Sequence, residues 1–255
     1  MEVYAYTMTW DTGFAPCIYN GELTLACCKT SLRYKIAQKL LSSTDKGKEN
    51  IYIVGLCGKV LEQRGIKEGK LNSQKLPDYS YWPVYIAKIE WAEQTNIYFS
   101  GQKKRPDQVY SYDKGSDTWY ICGGNPHHTK VRRKTSFIDW GNERDITYRS
   151  YNKENPILNY VLKSTEFVFL GTEIQRVADL CNTDGPYPCL HRMAMERKGA
   201  PRSDLKPISF SETEKINFRA LFELCQSKFE TNVLHRNHIS QYFENGCGKG
   251  ECKRG

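Results

Sequence analysis

The sequence predicts an α+β protein with a mixed, partly open β-sheet or barrel-like core, flanking helices and a C-terminal helix. Three observations support this class: a strand-like alternation opens the chain, apolar β-favouring runs recur through its first two thirds, and residues 211–230 have helical spacing. No internal repeat is present. We therefore expect a core at residues 1–175, a helical extension packed on it at 176–245, and a disordered tail at 246–255.

Five segments have the composition of β-strands. Residues 2–9 alternate and are rich in aromatic and β-favouring types, and they lead into a turn at Asp11-Thr12-Gly13. Short apolar runs follow at residues 23–28, 51–61 and 161–171, of which 51–61 has the composition of a central strand. Residues 82–92 fit either a strand or a strand that continues into a short helix.

Two segments have helical spacing. The first covers residues 31–41, with Ser31 as a candidate cap. The second covers residues 211–230, where Ser211 and Glu214 have capping-box spacing. Its predicted apolar stripe consists of Ile216, Leu221, Leu224, Cys225 and Phe229.

Two stretches between these elements lack a clear periodic pattern. Residues 62–74 are predicted to be a surface loop. Residues 99–156 are polar and rich in Gly, Pro and aromatic residues, which is long for a connection in a compact domain and is typical of a functional loop.

Composition points to a folded, moderately basic protein. Apolar residues make up 39% of the chain and aromatic residues 13%, which is enough to bury a core, and the formal net charge is +8. Eight basic and only three acidic residues lie between Lys103 and Lys134. This segment, and Arg132-Arg133-Lys134 within it, is the candidate phosphate-facing surface, although a solvated loop would have the same composition.

The sequence favours a cytoplasmic protein with no membrane partner. Its first residues have no basic stretch followed by an apolar run, and no run of 18 apolar residues occurs. The ten cysteines are scattered, and in a reducing compartment we expect them to be free thiols.

The segment from Asp11 to Arg33 combines a turn, a thiol pair and two basic residues. Gly13 would let the backbone pass close to a ligand, Asp11 would accept from base or ribose donors, and Lys29 and Arg33 would contact phosphate. A purely structural interpretation is equally open, with an Asx turn at Asp11 and solvated basic side chains.

This block resembles the opening of the nucleotide modification associated domain 2 family, also described as putative DNA base hypermodification proteins. The resemblance rests on Asp11-Thr12-Gly13-Phe14-Ala15-Pro16, Gly21, the run Leu23-Thr24-Leu25-Ala26-Cys27-Cys28-Lys29, and Arg33. Similarity continues in order at Lys104-Arg105-Pro106, residues 116–120, His127 or His128, and Val161-Leu162-Lys163-Ser164 with Phe167, Phe169 and Gly171, so that it covers residues 2–171. Two departures are a longer polar loop at 42–50 and the retention of only Asp117 and Tyr120 in the segment 116–120.

The resemblance implies a site that acts on, or recognises, a nucleotide or nucleic-acid base. The residues nominated as catalytic are Asp11, Asp117, His127 and His128. The residues nominated for substrate or phosphate binding are Gly13, Phe14, Thr24, Lys29, Arg33, Lys104, Arg105, Tyr120 and Ser164. We expect Asp11, Gly13, Lys29 and Arg33 to converge with Lys104, Arg105 and Asp117 on one cleft.

The cysteines are weaker candidates. Cys27 or Cys28 could be a nucleophile activated by Lys29 and Arg33, but adjacent cysteines in an apolar run are more often small buried hydrophobes. Two cysteines and two histidines near the C-terminus, Cys247, Cys252, His235 and His238, lack the spacing of a usual zinc site, so no metal site is predicted.

Three functions remain open from the sequence. The first is a base- or nucleotide-modifying transferase or hydrolase, the second a non-catalytic reader of modified or flipped bases, and the third an interaction module of a phage-defence or modification system. The expected partner is a nucleotide or nucleic acid, with DNA favoured over RNA. The sequence indicates no particular cofactor and no oligomeric state, and motifs of the commonest ATPases, dinucleotide enzymes, metalloproteases and serine hydrolases are missing.

Overall fold

A computed structural model describes residues 1–9, 11, 15–42, 50–72, 81–100, 105–121, 146–148, 157–174, 176–177, 188–197 and 205–229. Contacts divide the chain into two compact units. Unit 1 comprises Met1–Thr12, Asp45–Glu90 and Ser164–Tyr242, and unit 2 comprises Gly13–Thr44, Trp91–Lys163 and Phe243–Gly255. None of the helices described here is long and apolar enough to cross a membrane.

Unit 1 is built on a four-stranded mixed sheet. Its strands, in spatial order, are β1 (Glu2–Met8), β4 (Ile51–Cys57), β5 (Pro83–Ile89) and β12 (Glu166–Phe169). The pair β1 and β4 is parallel, whereas β5 is antiparallel to both of its neighbours. Buried Val, Ile, Tyr and Phe side chains on successive strand positions are the composition expected of strands covered on both faces.

Unit 1 also contains helical segments, and the last two described pack against one face of its sheet. Helix α2 (Lys59–Lys67) follows β4, a 3₁₀ turn (Gly171–Glu173) follows β12, and two later helices are α4 (Pro188–Arg197) and α5 (Glu212–Lys228). Alternate sheet residues such as Val3, Ala5 and Val54 pack in one apolar cluster with Met193, Phe218, Leu221 and Phe222 of the last two helices. The C-terminal helix is therefore part of the core of unit 1.

Unit 2 contains a second four-stranded sheet and two short hairpins. The sheet has the order β2 (Cys17–Tyr19), β3 (Glu22–Leu25), β11 (Tyr160–Ser164) and β6 (Trp91–Gln94). The short pairs are β7 (Tyr110–Asp113) with β8 (Thr118–Ile121), and β9 (Thr147–Tyr148) with β10 (Ile157–Leu158). Helix α1 (Thr30–Ser42) and the short helix α3 (Thr95–Ser100) pack beside these strands.

The α+β class with a C-terminal helix is confirmed, and within the described residues the sheets are open rather than closed into a barrel. The predicted cap of the C-terminal helix is also confirmed: Ser211 Oγ accepts from the backbone N–H of Glu214, and Glu214 Oε2 accepts from the backbone N–H of Ser211.

Four local predictions are wrong. Residues 62–74 are not all loop, because α2 covers Lys59–Lys67. Ser31 lies inside α1 rather than at its cap, since the helix begins at Thr30. Residues 161–171 form two strands, β11 and β12, in two different sheets. Of the predicted stripe, Ile216 is 63% exposed, whereas Leu221, Cys225 and Phe229 are buried as predicted; α5 also buries Glu214, Phe218 and Phe222.

Candidate functional site

A buried carboxylate, Asp107, is the centre of the most connected polar cluster described in unit 2. It has no exposed surface. Thr24 Oγ1 donates to its Oδ2 at 2.6 Å, and the Tyr98 hydroxyl donates to its Oδ1 at 2.8 Å. Arg105 Nε lies 3.5 Å from the same Oδ1. A buried carboxyl group requires such compensation, and these contacts hold it in position.

Arg105 connects this carboxylate to the half-buried edge of strand β3. Its Nη1 donates to Glu22 Oε1 at 2.8 Å, and its Nη2 donates to Thr24 Oγ1 at 3.1 Å. The guanidinium carbon also lies 5.6 Å from the centre of the Tyr19 ring, a cation–π distance. The Arg105 side chain is 7% exposed, whereas that of Glu22 is 23% exposed. The charged cluster therefore extends from a closed interior to a partly open rim at Glu22. We call Glu22, Thr24, Tyr98, Arg105 and Asp107 the Arg105 centre.

One polar atom of this centre is not fully compensated. Among the residues that the structure describes, Arg105 Nε has no hydrogen-bond partner. It lies within ion-pair distance of Asp107, at 3.5 Å, which is longer than an ordinary hydrogen bond. Buried donors are normally satisfied, so an unmet donor on a buried arginine marks this position as unusual.

Two ionisable groups next to Asp107, the Tyr98 hydroxyl and the Cys17 thiol, favour their protonated forms. Burial, and next the Asp107 charge, raises the pKa of the Tyr98 hydroxyl well above its ordinary value. The same two causes, in the same order, raise the pKa of the Cys17 thiol well above its ordinary value. Tyr98 thus stays a hydrogen-bond donor, and Cys17 stays a neutral thiol, which is a poor nucleophile.

The two cysteines of the predicted thiol pair, Cys27 and Cys28, differ in burial. Cys27 is fully buried, as predicted, and its Sγ donates to the backbone oxygen of Asp107 at 3.6 Å. Cys28 is half-buried, so the expectation that both thiols are hidden is wrong for this residue. Within the described part of the chain, no group of three or more His, Cys, Asp or Glu residues is arranged to hold a metal ion.

Arg33 has a buried position that differs from the solvated or phosphate-facing position considered for it. It is fully buried, its Nε donates to the Cys28 carbonyl at 2.7 Å, and its Nη1 donates to the Tyr160 carbonyl. It thereby ties the start of α1 to strand β11. Lys29, immediately before α1, is half-buried and adopts a φ of +55°.

The other nominated residues are scattered or lie outside the described residues. Asp117 is exposed in the β7–β8 turn, where it accepts from the Tyr112 hydroxyl at 2.5 Å, and the backbone of Tyr120 pairs with Ser111. Ser164 is buried and donates to the Glu166 carbonyl at 2.9 Å. Five nominated residues lie outside the described part of the chain: Gly13, Phe14, Lys104, His127 and His128. The basic residues Arg132, Arg133 and Lys134, the C-terminal Cys and His residues, and the predicted tail at 246–255 also lie outside it.

Asp11 follows strand β1 in unit 1 and is only 1% exposed. The parallel pair β1 and β4 ends nearby, where the backbone N–H of Gly58 donates to the Met8 carbonyl at 3.0 Å. Asp11 and the Arg105 centre belong to different units, each described by itself, so a single cleft that contains both stays a prediction.

Of the nominated residues, Thr24 and Arg105 are brought into direct contact although 81 positions separate them in the chain. Sequence reasoning missed Glu22, Tyr98 and Asp107. Asp107 had one usable signal, since it stands two residues after Arg105 in a segment with few acidic residues. Tyr98 and Glu22 had none, because no local pattern marks either side chain as a partner of Asp107 or Arg105.

Comparison with known proteins agrees with the resemblance noted in the sequence. No curated protein and no solved structure matches the chain significantly. The profile of the family described as nucleotide modification associated domain 2 matches residues 1–198, a range that includes Thr24, Arg105 and Asp107. Because this range is more than three quarters of the 255 residues, the chain belongs to the nucleotide modification associated domain 2 family.

Proposed function

We propose that this protein binds a nucleotide or nucleobase as part of nucleotide modification, and that the Arg105 centre of unit 2 is the ligand-binding element. The observation that carries the proposal is the direct contact of Arg105 with Thr24. Two separate blocks of the family resemblance, 23–29 and 104–106, meet there around one buried ion pair.

The chemistry of the centre fits recognition of such a ligand. Arginine presents its donors in a planar fork that suits phosphate and the acceptor edges of bases, and it stacks on aromatic rings as it does on Tyr19. Contacts with Asp107 and Thr24 restrain the guanidinium of Arg105 before a ligand binds. Less side-chain conformational entropy is therefore lost on binding. The titratable groups nearest to Asp107 are protonated donors rather than activated nucleophiles, which favours binding over chemistry at this position.

The test compares two threonines that are equally buried. Thr24→Val removes the hydroxyl that joins Arg105 to Asp107, whereas Thr95→Val removes a buried hydroxyl that donates to the Ile146 carbonyl at 2.8 Å elsewhere in unit 2. Thr95→Val should lose on the order of 1–2 kcal/mol of stability, and Thr24→Val should lose more, because its hydroxyl both donates to Asp107 and accepts from Arg105.

Only Thr24→Val should weaken ligand binding, by roughly tenfold if about 1.4 kcal/mol of arginine positioning is lost. Isothermal titration with the four deoxynucleoside monophosphates, the four deoxynucleosides and a short DNA would measure it. Equal affinities for the two variants, or the absence of binding by the wild type, would refute the assignment of the Arg105 centre.

A catalytic role is the second candidate, and one observation favours it: a buried carboxylate, Asp11, lies just past the carboxyl end of a parallel strand. Ligands of open α/β sheets bind at that edge. Mass spectrometry of nucleotides and DNA incubated with wild type and with Asp11→Asn tests it. A mass change produced by the wild type and lost in the folded variant supports catalysis, whereas identical spectra for both proteins argue against a reaction at Asp11.

A further inference from the structure

The carboxylate of Glu22 occupies the outward-facing side of the Arg105 guanidinium. Its Oε1 accepts from Arg105 Nη1 at 2.8 Å, which is the shortest hydrogen bond described for this guanidinium. The other contacts of the two terminal nitrogens are longer, at 3.1 Å to Thr24 Oγ1, 3.3 Å to the Glu22 carbonyl and 3.5 Å to the Tyr19 carbonyl. The carboxylate is thus the main partner on that side.

A ligand can replace the Glu22 carboxylate on Arg105 more easily than it can replace Asp107. Asp107 is fully buried and receives two further hydrogen bonds, from Thr24 and Tyr98, so it is fixed. Glu22 lies at the start of β3, and its side chain is 23% exposed, so its carboxylate already has access to water. Because the Arg105 side chain is only 7% exposed, releasing this pair becomes favourable only when an incoming anion takes the place of the carboxylate.

The charges of the Arg105 centre favour binding of an anionic ligand only after the Glu22 carboxylate has moved away. The described contacts of the Arg105 centre join one basic side chain to two acidic ones, which disfavours an incoming anion while both carboxylates are present. Once Glu22 has moved away, Nη1 lacks its shortest hydrogen bond and Nε still has no partner among the described residues. Nη1 forms the outer edge of the planar guanidinium together with Nη2, whose contacts are longer, and such a pair of donors suits the oxygens of a phosphate.

We propose that Glu22 is an internal competitor for the phosphate group of the ligand: it holds Arg105 in the ligand-free protein and is displaced when a phosphate binds. This inference rests on the proposed function and adds to it the ligand chemistry, an anionic phosphate, and a residue that restrains its binding. It makes an unusual prediction, because removing a charged residue from a binding site should strengthen binding rather than weaken it.

The experiment uses full-length protein and isothermal titration with pyrophosphate and with deoxyadenosine monophosphate. Glu22→Gln keeps an oxygen that accepts from Arg105 but removes the negative charge, and Glu22→Ala removes both. The matched control is Glu93→Gln, which breaks another short and partly exposed ion pair in unit 2, the 2.6 Å contact with Lys163. Thermal melts verify that each variant is folded.

Glu22→Gln and Glu22→Ala should bind both phosphate probes about tenfold more tightly than the wild type, on the scale of one charge-assisted hydrogen bond. Glu93→Gln should bind like the wild type. Affinities of the Glu22 variants no higher than that of Glu93→Gln would overturn the inference, and so would the absence of phosphate binding by every variant.

Deoxyadenosine, which carries no phosphate, separates this inference from the proposed function. If the wild type binds deoxyadenosine or the monophosphate but the Glu22 variants show no gain, the competitor role is wrong and nucleotide binding stands. If no variant binds any of the three probes, both are wrong.

Discussion

At the scale of single residues, the Arg105 centre depends on Tyr98 and Cys17 remaining protonated. Tyr98 and Cys17 both lie against the Asp107 carboxylate in the interior of unit 2, and both have a raised pKa because burial, and then the Asp107 charge, disfavours their anionic forms. A hydroxyl that stays protonated can serve permanently as a donor to Asp107. The raised pKa values therefore link the integrity of the centre to pH.

The sign of this linkage predicts a loss of stability in alkali. In the unfolded chain the Cys17 thiol ionises near its ordinary pKa of 9.0, whereas in the folded chain it keeps its proton to a higher pH. The free energy of unfolding should be unaffected by this group below about pH 9 and should fall as the pH rises further, by up to about 1.4 kcal/mol per pH unit for each such group.

Cys17→Ala checks this prediction. Urea unfolding of the wild type and the variant under reducing conditions should give parallel free-energy profiles between about pH 6 and pH 8, because Cys17 is protonated in both states there. Above about pH 9 the profile of the variant should be flatter. Profiles that remain parallel throughout would show that the thiol ionises equally in the folded and unfolded chains.

At the scale of elements, the outer edge of strand β1 is covered by side-chain and main-chain donors. This strand is at the end of the unit 1 sheet, where its carbonyls would otherwise face no further strand. Arg197 at the end of α4 donates through Nε to the Ala5 carbonyl at 2.7 Å and through Nη2 to the Lys206 carbonyl at 2.8 Å. The backbone N–H of Ile208 donates to the Val3 carbonyl at 2.7 Å. Arg197 thus fastens both α4 and the segment before α5 to the sheet edge.

Arg197→Met should therefore destabilise the protein strongly. Met keeps an apolar stem but has no donor, so the Ala5 and Lys206 carbonyls lose their charged donor, at a cost of roughly 3 kcal/mol. Arg192→Met is the control on the same helix, since Arg192 has 48% side-chain exposure and pairs with Glu214 at the surface, a contact worth less than about 1 kcal/mol. Similar urea midpoints for the two variants would contradict the proposed role of Arg197.

The elements differ in how well the sequence predicts them. Strand β1, helix α1 and the capped helix α5 were predictable because each has a local periodic pattern or a cap in consecutive residues. Helix α2 was missed because it has nine residues and buries only Leu61, Glu62 and Gly65, which is too narrow a stripe to produce an apolar period. The split of residues 161–171 into two sheets depends on long-range pairing and leaves no local signal.

The same distinction applies to the candidate site. Thr24 and Arg105 were nominated because they stand in family-like blocks, and the structure adds that they touch. Asp107 was missed although it stands two residues after Arg105, and no local pattern marks Tyr98. Glu22 could not be identified from sequence, since it becomes a partner of Arg105 only when segments about 80 residues apart meet. Arg33 was nominated for phosphate contact because it stands in a family-like block, but in the structure it donates to the backbone carbonyls of Cys28 and Tyr160.

At the scale of the whole molecule, the central claim is that a nucleotide reaches Arg105. Three of the arginines that the structure describes are buried, and they differ in the hydrogen bonding of their Nε atoms, which provides an internal comparison. Arg33 Nε donates to the Cys28 carbonyl and Arg197 Nε donates to the Ala5 carbonyl, whereas Arg105 Nε has no hydrogen-bond partner among the described residues. A ligand that binds at the Arg105 centre must change the surroundings of one of these atoms and leave the other two as they are.

The most direct test is a proton–nitrogen correlation spectrum of the arginine Nε–H groups, recorded during titration with a deoxynucleoside monophosphate. Buried Nε–H groups exchange slowly enough with water to be observed, and single Arg→Lys variants assign them. We predict that the Arg105 resonance shifts progressively and reaches saturation, while the resonances of Arg33 and Arg197 do not move. An Arg105 resonance that stays unchanged at saturating nucleotide would contradict the account.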